Sequence, residues 1–245
     1  ATPFRRDIMK ELAEACTLSW EQLHAEHAGL WQQRWESCDV VIESDPPAQL
    51  AMRAALYHLL RAHMPDDRVA IDAKGYAGEA YWGRFFWDTE MFLLPFYLYT
   101  DPSRARTLAD FRVQSLAGAQ ANAKRYGYRG ARYAWESDSA GIECCPNWQY
   151  GDHEIHVTAD VAYGLVHYAR ATGDDAYLQG PAAAVLVETA RYWMDRVDVR
   201  PADDYASLLG VMGPDEYTPD RKSTRLNSRH VSPSLIPSFA LKKKS

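Results

Sequence analysis

The chain has 245 residues, 47% of them hydrophobic and 12% aromatic, which is enough for one sizeable core. Its net charge of −6 argues against a nucleic-acid binder, which needs a basic stripe. No apolar run is long enough to span a bilayer. The charge is unevenly placed: residues 222–245 hold six Lys/Arg and no acid, leaving residues 1–221 at a net −12.

Eight Trp and 15 Tyr are many for this length. Most should be core, but indole and phenol faces also stack on sugar rings, whose axial C–H bonds form an apolar surface. The cysteines are Cys16, Cys38, Cys144 and Cys145, a spacing that fits neither a disulfide framework nor a zinc ribbon. They imply free thiols in a reducing, cytoplasmic compartment. Phe4-Arg5-Arg6-Asp7 leads into an amphipathic helix and does not read as a signal peptide.

From Asp7 to about Ser37, apolar residues recur at helical spacing (Ile8, Leu12, Ala15, Trp20, Leu23, Trp31, Trp35), predicting one or two helices. Ser44-Asp45-Pro46-Pro47 starts a further helix, a capping residue followed by proline in the first turn, which stops near Met64-Pro65. A Gly-rich loop, Lys74 to Glu79, follows. The run from Phe86 to Tyr99 is apolar nearly all round, predicting a fully buried second helix. A third helix is expected from Asp101 to about Tyr126, a fourth from His153 to Ala171, and a fifth from Asp175 to Val197. A short extended stretch, Tyr205–Met212, then leads into Gly213-Pro214-Asp215-Glu216-Tyr217.

The pattern is all-α. Loops after the first, third and fifth of these helices are long and hold Gly, Trp, Asp and Glu, whereas those after the second and fourth are short. In an antiparallel helical array the three long loops lie at one end, where residues distant in sequence form one site.

Glu216 is the candidate general acid. Such a group must be protonated near neutral pH, which Asp215 and Tyr217 could favour; the alternative is a turn carrying solvated acids. Trp87 and Asp88 read either as a packed indole with an N-cap or as a sugar clamp, the carboxylate holding two hydroxyls beneath the indole. Trp135-Glu136 repeats that chemistry, against the alternative of a loop tryptophan buried for stability. Asp152-His153-Glu154-Ile155-His156 lacks the i,i+4 histidine pair of a zinc protease, so no metal is expected. Walker, dinucleotide-binding and Gly-x-Ser-x-Gly motifs are absent from the sequence.

These residues resemble glycoside hydrolase family 65, the family of maltose, trehalose, kojibiose and nigerose phosphorylases and acid trehalases. The resemblance is carried, in order, by Gly75-Tyr76-Ala77-Gly78-Glu79, Phe86-Trp87-Asp88-Thr89-Glu90, Leu94-Pro95-Phe96-Tyr97, Tyr133-Ala134-Trp135-Glu136, Glu154-Ile155-His156 and Gly213-Pro214-Asp215-Glu216-Tyr217. Arg84 stands where many members would have His. The resemblance implies a partial (α/α)6 barrel, an open half-barrel of helical hairpins. Residues 1–43 would be linker helices, 44–221 the N-terminal half of the barrel with five of its twelve helices, and 222–245 a disordered tail that looks like read-through, or else a genuine basic tail. The preceding β-sandwich domain and the later half of the barrel are not found in this sequence.

By resemblance, Glu216 is the general acid, and Trp87, Asp88, Trp135 and Glu136 bind substrate. The implied reaction is inverting phosphorolysis of an α-glucosyl disaccharide to β-glucose 1-phosphate and a free acceptor sugar, with inorganic phosphate as co-substrate and no other cofactor. Neither nucleic acid nor membrane is an expected partner, and the full-length enzyme would be homodimeric. The 245-residue chain as written is expected to be inactive. Two alternatives stay open: a trehalase-like inverting hydrolase, and a non-catalytic carbohydrate-binding helical module.

Overall fold

A computed structural model describes residues 3–76, 80–146, 148–199, 206–213 and 224–226. The chain divides into two compact units, Ala1–Leu60 and Arg61–Ser245.

In the first unit, α1 spans Pro3–Ala15 and α2 Trp20–Cys38. Ser19 and Gln22 form a reciprocal capping box at the start of α2, satisfying two backbone donors that the helix leaves open. Helix α3, Pro46–Ala62, begins where the sequence places it, with Asp45 Oδ1 accepting from Ala48 N at 3.0 Å. The boundary between the units falls inside α3.

The second unit holds the core. A π-turn over Thr89–Leu93 runs directly into α4, Leu94–Thr100. Its widening has a local cause. Pro95 cannot donate a backbone bond and its ring crowds the preceding turn, and Leu94 N reaches back five residues to Thr89 O. Next come α5, Pro102–Gln114, and α6, Leu116–Arg125, then α7, Trp148–His153, and α8, Val157–Thr172. Gly173, in the left-handed conformation, caps α8. The last helices are α9, Asp175–Gln179, and α10, Ala183–Arg196. Phe85, Leu94, Tyr97, Leu108, Phe111, Val161, Leu165 and Val185 belong to one buried cluster.

Several expected helices are interrupted. The third breaks at Ser115, whose hydroxyl turns back to Arg112 O. The fifth breaks at Gly180, ahead of Pro181, which cannot continue a helical ladder. The fourth is preceded by the separate turn of α7, in a segment expected to be loop. The second is not buried all round: Phe92 and Tyr99 are 62% and 74% exposed. Its α4 part packs on α5 and α8, and His63 lies against Tyr97, while Phe92 and Tyr99 stay open to solvent.

A three-stranded antiparallel sheet follows α10: β1, Asp198–Val199, β2, Ala206–Leu208, and β3, Thr224–Leu226. The register pairs Asp198 with Ser207, and Ser207 with Arg225. β2 lies in the stretch expected to be extended. β3 lies in the segment expected to be a disordered tail. It completes the ladder on the free edge of β2, where Thr and Leu suit a strand. No helix among the described residues is long and apolar enough to cross a membrane.

Candidate active site

The loop ahead of the π-turn is built from short-range polar contacts. Buried Asp72 accepts from Lys74 N at 2.9 Å and Tyr76 N at 2.8 Å, closing a turn through Gly75. Tyr81, Trp82 and Gly83 follow with φ of +65°, +50° and +71°. For two aromatic residues that backbone is strained. It turns the chain so that Phe85 pairs with Ser137, each N–H bonding the other's carbonyl at 2.9 Å. This bridge joins the loop after α3 to the loop after α6. The sequence expected these two loops to meet.

Around the bridge, Arg84 Nη1 lies 2.6 Å from Glu136 Oε1 and 2.6 Å from Cys144 O. Glu143 organises the opposite strand, accepting from Trp135 N (2.8 Å), Glu136 N (3.1 Å) and Cys145 N (3.2 Å). Burial pushes the Glu143 carboxyl up, against the pull of those N–H donors. Asn122 on α6 ties the loop to the core, donating to Gly141 O at 2.8 Å and accepting from Glu143 N at 3.1 Å.

Trp87 and Trp135 converge on one side chain. Their rings lie 4.9 Å and 5.7 Å from the His156 ring, both edge-to-face. Asp88 is half-buried beside Trp87 and makes no side-chain capping bond, so the N-cap reading of this carboxylate does not hold. Burial raises its pKa above the ordinary 3.8. Glu136 is buried and fixed by Arg84. The two indoles thus meet one histidine, Trp135 buried in the core cluster as the alternative reading had it and Trp87 partly buried against that cluster, while Asp88 and Glu136 adjoin them in the chain.

Glu216 lies outside the described residues, as do Asp215 and Tyr217. The segment leading to it is anchored: Met212 N donates to His153 O at 3.0 Å, and His153 Nδ1 lies 2.8 Å from Gly210 O. The third long loop therefore joins the same region. Those contacts engage His153, while Asp152 accepts the Tyr126 hydroxyl. Three contributors escaped the sequence reading. Glu143 is brought to its role by the fold alone, whereas Asp160, whose Oδ2 lies 2.6 Å from His156 Nδ1, stands i,i+4 from it, a spacing visible in the sequence. Arg84 was noted only as a departure from the family pattern, and its pairing with Glu136 spans 52 residues.

The glycosyl hydrolase family 65 central catalytic domain matches residues 53–231. The chain belongs to glycosyl hydrolase family 65. The family match runs ten residues past Arg221, where the motif resemblance ends. Among relatives, the kojibiose phosphorylase of Halothermothrix orenii is 39% identical over 221 residues, covering 84% of this chain and 28% of that protein. The protein-glucosylgalactosylhydroxylysine glucosidase of Gallus gallus is 35% identical over 205 residues, covering 80% of this chain and 29% of that protein. The solved structure of a putative kojibiose phosphorylase from the human microbiome superposes with a TM-score of 0.81 at 31% identity, over 88% of this chain and 32% of that one. The chain therefore spans about three tenths of the length of the family members it matches.

Proposed function

We propose that this chain is the N-terminal half of an (α/α)6 catalytic barrel, residues 44–221 preceded by linker helices at 1–43, in an inverting α-glucoside phosphorylase. One observation carries the reading: in a family 65 chain, the Trp87 and Trp135 indoles, each followed in the chain by a carboxylate (Asp88, Glu136), meet the same His156 ring. The indoles stack on the glucosyl ring and the carboxylates take its hydroxyls. Glu216 protonates the glycosidic oxygen as the bond breaks, while inorganic phosphate attacks the anomeric carbon from the opposite face. The products are β-glucose 1-phosphate and the free acceptor. Inverting hydrolysis needs a second carboxylate to activate water, whereas phosphate is already an anionic nucleophile. The cysteine pattern, with Cys144 and Cys145 adjacent, is the ground for reading a reducing, cytoplasmic setting. A homodimeric full-length enzyme completes the reading.

A full-length family 65 protein carrying this chain is assayed with kojibiose, nigerose, maltose and trehalose. Phosphate-dependent release of glucose 1-phosphate is expected from at least one of them. Glu216→Gln keeps the shape and removes the proton donor, so turnover should fall by about 10²–10⁴-fold with sugar affinity little changed. The similarity to the Gallus gallus glucosidase favours a second reading, hydrolysis. Phosphate-independent release of free glucose would select it.

A further inference from the structure

His156 sits at the start of α8, in ring contact with both indoles and within reach of two carboxylates. Its ring plane crosses those of Trp87 and Trp135 at 86° and 68°, so both contacts are edge-to-face. Edge-to-face contact sets the electropositive rim of one ring against the electronegative face of the other, a favoured arrangement for aromatic pairs. On the other side, Nδ1 lies 2.6 Å from Asp160 Oδ2, and Nε2 lies 3.3 Å from Glu154 Oε2. Glu154 is fully buried, and neither of its oxygens meets an aligned hydrogen-bond donor among the described residues.

We propose that His156 is a positioning residue that fixes the Trp87 and Trp135 indoles of the sugar site in place. The proposal rests on the sugar-site reading above. A neutral imidazole carries one N–H, but here both nitrogens face carboxylates that can only accept. The doubly protonated ring is the form that suits both. Burial works to lower the pKa of His156, but Asp160 and Glu154 outweigh it and push it up to about 9. Beyond Asp160 lies the Glu90–Arg112 ion pair, in which the two charges oppose each other. On the indole side Glu136 is held by Arg84, and Glu143 by backbone N–H groups. The two carboxylates therefore favour the cationic ring at neutral pH. Above pH 9 one carboxylate loses its partner, and the hold of the imidazole on the two indoles loosens.

The test uses a full-length protein carrying this chain, with glucose as the probe. Glucose affinity and tryptophan emission are followed from pH 7 to 10, with His156 protonation read by ¹⁵N NMR. In the wild type, glucose affinity should fall at least tenfold as His156 loses its proton. Asp160→Asn, which keeps the shape, should move that midpoint down by at least one pH unit, a shift that a merely space-filling histidine would not produce. His156→Phe and His156→Gln should bind glucose at least tenfold more weakly at pH 7, with no step near pH 9. Wild-type affinity that stays flat while His156 deprotonates would overturn the proposal. So would binding by His156→Phe within twofold of wild type. If glucose binds the wild type at no pH, the sugar-site reading fails, and tryptophan emission decides alone: a step near pH 9 that His156→Phe abolishes supports positioning, and no step refutes it.

Discussion

Arg84 and Glu136, 52 residues apart in sequence, form a 2.6 Å ion pair across the two loops that the Phe85–Ser137 bridge joins. The guanidinium is partly exposed and the carboxylate buried. Removing Arg84 would leave Glu136 desolvated without its charged partner, and would also strip a donor from Cys144 O. Arg84→Ala should therefore cost about 1–3 kcal/mol of stability and weaken sugar binding roughly tenfold. Arg84→Lys keeps the charge but not the planar fork, and should fall between the two. Denaturant melts and sugar titrations on both variants check the order. Equal stability in all three proteins would show that the pair contributes nothing.

Asp88 separates two roles cleanly. A lost N-cap costs about 1 kcal/mol, but Asp88 makes no side-chain capping bond. Its carboxyl pKa is raised by burial, so the folded state binds its proton more readily than the unfolded state does. That contribution to stability is present at low pH and is lost as pH rises through the folded pKa. At pH 7 the burial of this charge opposes folding, and Asp88→Asn should leave the melting temperature unchanged or raise it. The same change should lower sugar affinity by orders of magnitude if the carboxylate holds hydroxyls. A lowered melting temperature with full sugar affinity would reverse both assignments.

Helix existence was legible because apolar periodicity and Pro/Gly punctuation are local signals. Pro46-Pro47 and Gly173 mark their boundaries as expected. Ser115 gives no such warning, because serine is compatible with helix, and its turn back to Arg112 O depends on the packing around it. Gly180-Pro181 carries a local break signal, yet the expectation of one helix from Asp175 to Val197 passes over it, and the chain breaks there. The exposure of Phe92 could not be read from an apolar run, which says what a segment can bury and not which neighbours it meets. In the site, residue types pointed to the indoles and carboxylates. The partners that fix them, Arg84 on Glu136 and Glu143 on the Trp135 backbone, are chosen by tertiary contacts that leave no periodic trace.

The Glu90–Arg112 pair beneath the Trp87 segment makes a third prediction. It is bidentate at 2.6 and 2.8 Å and almost wholly buried, and Arg112 also donates to Phe86 O at 2.9 Å. Breaking such a pair on one side typically costs about 3–5 kcal/mol, while replacing both partners by apolar groups is often nearly neutral. Arg112→Met should be severely destabilising at pH 7, and the double change Glu90→Leu with Arg112→Met should be milder than either single change. Burial already raises the Glu90 pKa against the pull of Arg112. Without Arg112 the carboxyl is further favoured in its neutral form, so the deficit of Arg112→Met should shrink as pH falls. Chemical denaturation of the single and double variants at pH 5 and pH 8 measures both effects. A deficit independent of pH would mean that Glu90 does not carry the cost.

Gly118 tests how closely α6 approaches the loop that carries Trp135. In a helix, alanine is preferred to glycine by about 1 kcal/mol, so propensity alone predicts that Gly118→Ala stabilises. A Cβ at this position would lie 2.0 Å from Ala140 O and 2.7 Å from Gly141 C, both backbone atoms. The loop would have to move, and with it Gly141 O, which accepts from Asn122, and Glu143, which holds the Trp135 and Glu136 backbone. Overpacking of this kind costs about 1–3 kcal/mol, which outweighs the propensity gain at its upper end. Gly118→Ala should therefore lower stability and weaken sugar binding together. Gly29 supplies the contrast: it lies inside α2, where an added Cβ would meet nothing within 4 Å, so Gly29→Ala should stabilise or be neutral. Opposite signs for the two alanine substitutions, read from denaturant midpoints, would tie the effect at Gly118 to the close approach of the Ala140-Gly141 backbone; a gain in stability at both positions would mean that the loop yields without cost.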